Sequence, residues 1–298
     1  MNSLTPLLNH IAKFYTDTPR YSLHALLRLI YGRDWWQYIY NKEQLYHKLN
    51  KIKYSLRDIL FYIPTIKGSR LMVRIPALHF IIICNYLDSE NLDLIKGNVI
   101  DILYNEVYTK YLRISHGDIV VDVGAHIGIF TLYAARMGKM VIAVEPEPRN
   151  YKWLFINTRL NNIKNTKLLN MALSDFDGEA YLYVSSRSTD HTLLPNVTTK
   201  IKDVIGSVLV PVRRLDSVLR EYVDEDDELF IKVDVEGAEL NVLRGFSLRN
   251  PVKFSIAAYH YPEEYRLVYK YLRKMGFTAV VKYWGGEPYV YAWRPAKR

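Results

Sequence analysis

The stretch Asp122-Val-Gly124-Ala125-His126-Ile-Gly128 breaks an apolar run with one carboxylate and two glycines. A glycine at a strand end lets the chain turn sharply, and a second one lets the following helix approach a ligand closely. The backbone N–H groups of that helix then face the ligand. The Asp122 carboxylate is available to a cation or to N–H donors. A dinucleotide fingerprint requires Gly-x-Gly-x-x-Gly, whereas the spacing here is Asp122-x-Gly124-x-x-x-Gly128. An adenosyl ligand with an amino-acid tail and a sulfonium charge suits this spacing better than a pyrophosphate. The next predicted strand ends in the run "AVEPEP", which places Glu145 a little over twenty residues after Asp122. An acid at that place can accept hydrogen bonds from both hydroxyls of a ribose. Taken with the antiparallel end of the chain described below, these features point to a site for S-adenosylmethionine.

A second group of reactive side chains lies in Lys232-Val-Asp234-Val-Glu236 and at His260. Parallel α/β sheets bind ligands beyond the carboxyl ends of their strands, and both segments end predicted strands. By alternation Lys232, Asp234 and Glu236 project to one side until a helix starts at Gly237. His260 ends the neighbouring strand, just before Pro262. Three readings follow. His260 or a carboxylate takes the proton of a hydroxyl as it attacks a sulfonium methyl. Alternatively Asp234, Glu236 and His260 hold a divalent metal that lowers the hydroxyl pKa; this reading stays open, but no metal is expected. In the third, the acids bond to backbone and to Lys232 and fix the strand-to-helix turn. General-base assistance contributes about 10²- to 10⁴-fold, and positioning roughly 7 to 11 kcal/mol, so positioning dominates.

From about Asp118 onward, short β-branched runs alternate with helical patterns, the signature of an open parallel sheet with helices on both faces. Strands are expected at Ile119–Val123, Met140–Glu145, Thr166–Ala172, Leu229–Val235 and Lys253–Tyr259. These runs are nearly continuously apolar, as strands buried on both faces are. Helices begin near Gly128, Pro148, Leu215, Gly237 and Pro262. The last places Leu267, Val268, Tyr271, Leu272 and Met275 on one stripe and stops at Gly276. The final run "FTAVVKYWGGEPYVYAW" predicts an antiparallel hairpin around Gly285-Gly286. Residues 1–66 read as a helical, aromatic-rich region, with "SLRDILFYIP" a helix stopped at Pro64. Residues 67–298 read as the main domain, with a strand at "RLMVRI".

The blocks "VDVGAHIGIFTLYAA", "VEPEPRNYKWLFINTRLNN", "NMALSDFDGEAYLYV", "VPVRRLDSVL" and "LFIKVDVEGAELNVLRG" resemble, in order, those of the FkbM family of S-adenosylmethionine-dependent methyltransferases. They run from about residue 118 to 246, and the last is the most distinctive. The resemblance implies a class I methyltransferase fold: a Rossmann-like α/β domain with a mostly parallel sheet and a C-terminal antiparallel hairpin. It also implies methyl transfer to a hydroxyl of a sugar or polyketide. Carried over by position, Asp122, Gly124, Ala125, His126 and Gly128 would line the methionine and adenosyl portions, and Glu145 would hold the ribose. The block "NMALSD" would approach the adenine through Ala172 and Asp175. His126 could equally be a partly buried turn residue. Nothing before about residue 67 is covered by the resemblance.

With 49% hydrophobic and 24% charged residues, the 298-residue chain has the composition of a protein folded nearly throughout. Its single cysteine, Cys84, excludes an internal disulfide framework and a four-cysteine zinc site, which fits a reducing compartment. No secretory signal is read, and the apolar window Ile75–Leu87 is too short to span a bilayer, which takes roughly 20 residues. A cytoplasmic protein is expected, with peripheral membrane attachment as a variant. The net charge of +9 suggests an anionic partner or a lysine-rich surface that serves solubility. Lys13, Arg20, Arg28, Arg33, Lys42, Lys48, Lys51, Lys53 and Arg57 make the N-terminal region basic. With Trp35, Trp36, Tyr38 and Tyr40 they keep open a nucleic-acid methyltransferase, or a non-enzymatic donor-binding protein docked on a membrane or partner. Against the nucleic-acid reading, the strand end "VDVEG" lacks the Asn/Asp-Pro-Pro-aromatic tetrad of amino-group methyltransferases. The expected acceptor is a small molecule or glycan. The polar stretch Ser185–Asp203 is a candidate acceptor lid offering Arg187, His191, Lys200 and Lys202. The sequence sets no oligomeric state.

Overall fold

The computed structural model describes residues 61–63, 69–75, 80–86, 95, 97–196 and 204–295. The basic residues of the N-terminal region and Trp35, Trp36, Tyr38 and Tyr40, together with Lys200 and Lys202, lie outside the described residues. The chain divides into two compact units, Met1–Leu92 with Ile156–Ile163, and Asp93–Phe155 with Lys164–Arg298. In the first, β1 (Phe61–Ile63), β2 (Ser69–Ile75) and β3 (Phe80–Tyr86) form an antiparallel sheet in that order. The strand expected at "RLMVRI" is therefore β2. The helix expected to run to Pro64 ends instead as β1, because Phe61, Tyr62 and Ile63 pair with Met72, Leu71 and Arg70. Backbone pairing with a neighbouring strand overrides the local helical pattern there. The apolar window after Ile75 supplies β3, in which Ile82 is buried.

The second unit opens with a π-helical turn (Ile100–Tyr104). It is followed by β4 (Ile119–Val123), α1 (Ile129–Ala134), β5 (Met140–Val144), α2 (Pro148–Leu160), β6 (Thr166–Leu169), β7 (Ala172–Ser174), β8 (Gly178–Ser185) and β9 (Val204–Arg214). Then come α3 (Leu215–Leu219), β10 (Leu229–Val233), α4 (Glu239–Arg244), β11 (Val252–Ala257), α5 (Glu264–Lys274), β12 (Thr278–Trp284) and β13 (Glu287–Arg294). Seven strands form one sheet in the order β12-β13-β11-β10-β4-β5-β6. All neighbours are parallel except β13, which runs antiparallel between β11 and β12. This is the sheet of a class I methyltransferase. Every side chain of β4 and β10 is buried, which is why both read as uninterrupted apolar runs apart from Asp122 and Lys232.

The departures from expectation are local. The strands expected to reach Glu145, Val235 and Tyr259 stop at Val144, Val233 and Ala257, where their ends peel away into loops. The run Thr166–Ala172 is two strands rather than one. The Asn170 side chain donates to the carbonyls of Glu145 and Pro146, and beyond it the chain enters a second sheet ordered β7-β9-β8. The helix expected at Gly237 starts at Glu239, and the one expected at Pro262 starts at Glu264. Glu263 precedes the latter in a left-handed conformation. Val268 and Leu272 of α5 are buried as expected, but Leu267 is exposed. Gly276, with φ +86°, ends the helical segment, and Gly285-Gly286, with φ +58° and +92°, make the hairpin turn. No helix among the described residues is long and apolar enough to cross a membrane.

Candidate active site

The sheet's strand order reverses direction at β4, so the carboxyl ends of β4, β5, β10 and β11 converge on a crevice, the place where such sheets bind ligands. Each end delivers part of the expected constellation. After β4, the N–H groups of Gly124 and Ala125 both donate to the Val144 carbonyl at 3.0 Å. Gly124 has φ +77°, and a Cβ there would lie 1.8 Å from the Asp234 carbonyl oxygen. Only glycine lets the ends of β4 and β10 come this close. Gly128, with φ +95°, sits against Leu154, whose Cδ1 would meet an added Cβ at 2.8 Å.

His126 also has positive φ, +50°, and its N–H donates to Glu145 Oε2 at 2.8 Å. The Glu147 N–H donates to the other oxygen of Glu145 at 2.9 Å. Glu145 is thus aimed by two backbone donors and keeps further lone pairs for hydroxyls. Burial pushes its carboxyl up to about 7. The His126 ring is driven down to about 3 by burial and by the nearby charges of His191 and Lys232. It is therefore neutral, with Nε2 3.3 Å from Ser188 Oγ.

Asp122 occupies a different place from its expected contact with the ligand. It is fully buried, accepts the Thr131 hydroxyl at 2.6 Å and pairs with Lys232 Nζ at 3.2 Å. The cation it meets is thus internal. Lys232 also donates to the Gly124 carbonyl at 2.6 Å, tying β10 to the glycine turn. Burial opposes the charge on Lys232, but Asp122 and Asp234 outweigh it and raise its pKa.

His260 is completely buried among four carboxylates. Its Nε2 lies 3.3 Å from Asp234 Oδ1 and 3.6 Å from Glu236 Oε2. Its Nδ1 lies 3.1 Å from Glu239 Oε1 and 3.3 Å from Glu264 Oε2. Burial works against an imidazolium here, yet the surrounding carboxylates, Glu239 foremost, raise its pKa well above the ordinary value. Asp234 is moved the other way: burial would raise it, but the His260 hydrogen bond and the Lys232 charge hold it below the usual carboxylate range. Burial pushes Glu236 and Glu264 each up to about 8, with Asp234 adding to the rise at Glu236 and Glu239 to that at Glu264. Glu236 reaches His260 through a left-handed backbone turn, φ +54°, rather than by strand alternation. Asp234, Glu239 and His260 each offer one atom within 4.8 Å of the others, a span that one cation could bridge. Asp234 and Glu239 face opposite ring nitrogens, however, so binding one cation would require one of them to swing round.

A cleft opens beside Asp234, lined by Tyr108, the Gly124-Ala125-His126 turn, Phe130, Lys232, Asp234, Tyr259 and Tyr289 among others. Ring faces and a carboxylate beside a glycine turn are the surroundings a sulfonium cation requires. The lining therefore fits S-adenosylmethionine; the turn would hold it, and Glu145, bonded to the His126 N–H behind the turn, would be the candidate partner of its ribose. Tyr108 and Glu264 were not singled out by sequence reasoning, nor was Glu239 beyond its place in the block "VDVEGAEL". Glu264 carries a readable signal, an acid four residues after His260, and it accepts the His260 N–H at 2.7 Å. Ala172 and Asp175 are not brought to the cleft. Ala172 packs with Leu182, Val210 and Val212 in the second sheet, and the Asp175 carbonyl accepts from Arg214. Of the stretch expected as a lid, residues 185–196 are described: Thr192 donates to the Glu236 carbonyl at 2.7 Å, and Asn150 to that of Ser188 at 2.9 Å. Arg187 pairs with Asp190 at 3.1 Å, and burial lowers His191 to about 4.

The chain is 33% identical over 174 residues to "Methyltransferase sdnD" of Sordaria araneosa, a match covering 48% of this chain and 67% of that protein. It is 30% identical over 142 residues to "Methyltransferase 1" of Beauveria bassiana, covering 42% of this chain and 57% of that one. A solved S-adenosylmethionine-dependent methyltransferase from Aquifex aeolicus superposes with a TM-score of 0.40 at 16% identity, covering 70% of this chain and 99% of that chain. The family described as "Methyltransferase FkbM domain" matches residues 122–279, more than half of the chain. Because that span begins at Asp122 and takes in Gly124, Glu145, Asp234 and His260, the chain belongs to the FkbM family of S-adenosylmethionine-dependent methyltransferases.

Proposed function

We propose that this methyltransferase acts on a hydroxyl of a sugar, glycan or other small molecule, with Asp234 receiving the hydroxyl proton. The observation that carries this reading is the placement of Asp234. Its carboxylate lines the cleft beside the glycine turn and is held by Tyr108 Oη at 2.6 Å on one oxygen and faces His260 at 3.3 Å on the other. S-adenosylmethionine, when bound, supplies an electrophilic methyl group on sulfur. The rest of the chemistry falls to the chain's own residues. The Gly124–His126 turn forms the wall against which the donor lies, and Glu145 takes its ribose hydroxyls. Asp234 orients the acceptor hydroxyl, and as the oxygen gains its methyl the proton passes to that carboxylate. His260 lies out of the cleft with both nitrogens turned to carboxylates, so its role is to keep Asp234 charged and in place. Geometry favours Asp234 over Glu236 as acceptor of the proton, because Asp234 lines the cleft.

The charge of the cleft favours a small hydroxyl compound over a nucleic acid. Asp101 and Asp234 line it, while Lys232, the one lysine among the described lining residues, is committed to Asp122. A polyphosphate backbone would be repelled there. The test is incubation with methyl-tritiated S-adenosylmethionine and either a panel of methyl glycosides or bulk RNA. The expected result is label in an alkali-stable ether of a glycoside, lost in Asp234→Asn. Label in RNA bases, or undiminished transfer by Asp234→Asn, would sink the reading.

A further inference from the structure

The family domain starts at residue 122, yet one wall of the cleft comes from the chain before it: Asn98, Asp101, Ile102, Val107 and Tyr108. Within that wall Tyr108 is buried, and its hydroxyl donates to Asp234 Oδ2 at 2.6 Å. We propose that Tyr108 is a positioning residue for methyl transfer, fixing the orientation of the Asp234 carboxylate at the cleft. This rests on the reading of Asp234 as the proton acceptor.

The two donors that face Asp234 are unequal. His260 Nε2 stands 3.3 Å from Oδ1 and is shared with Glu236 at 3.6 Å, whereas Tyr108 makes the one short contact. A hydrogen bond to an ionised group is about twice as strong as a neutral one, so the phenol fixes Oδ2 at short range while His260 faces Oδ1 from farther away. The phenol is itself tightly placed. Its ring meets Phe130 edge-on at 5.4 Å and Tyr289 at 5.8 Å, and Lys232 Nζ lies 5.4 Å above it. Burial and the Asp234 charge raise the Tyr108 pKa well above the phenol's ordinary value, so it stays a donor across the usable pH range.

The segment that carries Tyr108 is anchored independently of that hydroxyl. Tyr133 Oη donates to Glu106 at 3.1 Å and lies 3.2 Å from Thr109 Oγ1, and Tyr291 Oη donates to the Val107 carbonyl. Loss of the Tyr108 hydroxyl alone therefore leaves the fold and the ring packing in place. It releases only the carboxylate.

The experiment is a pH titration of the Asp234 carboxyl carbon by NMR, in full-length protein labelled at aspartate Cγ, with Asp234→Asn identifying the signal. Tyr108→Phe is compared with wild type, and both are titrated calorimetrically with S-adenosylmethionine. The expected result is a midpoint raised by about one unit, a tenfold change in proton affinity, with donor affinity within about threefold of wild type. An unchanged midpoint in a variant that binds the donor normally would overturn the inference, leaving Tyr108 as packing alone. Failure of wild type to bind S-adenosylmethionine would instead strike the donor-site reading, and the midpoint comparison would still decide the coupling of Tyr108 to Asp234.

Discussion

Lys232 and Asp122 stand opposite each other in register on neighbouring parallel strands, with Nζ 3.2 Å from Oδ1 and both side chains buried. A charge left without its partner in such a place is expensive. Lys232→Met is expected to destabilise the protein by about 3–5 kcal/mol, because Asp122 is stranded. Asp122→Asn combined with Lys232→Met should cost clearly less than the sum of the two single changes. Urea unfolding of the three variants measures this. Strict additivity would mean that the two groups do not act as a pair.

Donor binding should depend on pH through Glu145. Burial sets its folded pKa at about 7, so below that pH the carboxyl gains a proton and loses acceptor capacity. Affinity for S-adenosylmethionine is expected to weaken by up to about tenfold per unit as pH falls below 7, and to level off above it. Glu145→Gln should bind weakly with a flat profile. Calorimetry between pH 5.5 and 8.5 reads both, and a wild-type profile as flat as that of Glu145→Gln would remove Glu145 from the ribose site.

The parts legible in the sequence were those fixed by local pattern. β4 was placed residue for residue, since five consecutive buried positions leave no other reading of Ile119–Val123. Gly124, Glu145, Asp234 and His260 follow strands, and strand ends are where α/β sheets put their ligands. What could not be read was pairing at a distance. The partner of Asp122 is Lys232, which lies 110 positions along the chain and is brought there only by the parallel register. Tyr108 belongs to a segment whose own pattern says nothing about Asp234, 126 residues away. Leu267 misled in the opposite way: it fits the edge of the helical stripe by spacing, but the buried face of α5 is the row Glu264, Val268 and Leu272, and Leu267 falls beside it and is exposed.

The carboxylates around His260 should make the fold more stable in mild acid than in mild alkali. Glu236 and Glu264 have folded values of about 8 against ordinary values near 4.5, so between these the native state holds protons that the unfolded chain has released. Stability from these two groups is full below the unfolded value and declines as pH rises through about 8, by up to roughly 1.4 kcal/mol per unit for each proton. His260 has the same sign, since its raised pKa stabilises below its unfolded value and the benefit is lost only as pH rises through the folded one. Urea midpoints at pH 5.5 and 8.5 should therefore fall with pH, and Glu264→Gln should shrink the difference. A rise in stability over that range would contradict the arrangement.

Gly124 tests whether the donor site can be removed without touching any reactive group. A methyl at this position would point at the Asp234 carbonyl oxygen from 1.8 Å, and φ +77° is unfavourable for any side chain. Neither strand can retreat, because Gly124 N–H is bonded to Val144 and Lys232 holds the Gly124 carbonyl at 2.6 Å. Gly124→Ala must then displace the turn itself, which deforms the wall of the cleft formed by residues 124–126 and shifts Glu145, bonded to the His126 N–H. S-adenosylmethionine binding is expected to fall at least about a hundredfold, with a stability loss of about 1–3 kcal/mol. Gly138→Ala serves as the control: it is also crowded, meeting Val120 Cγ2 at 2.8 Å, but stands at the opposite end of β4. It should lose stability and keep donor affinity. Equal loss of affinity in both would mean that Gly124 matters only through the fold.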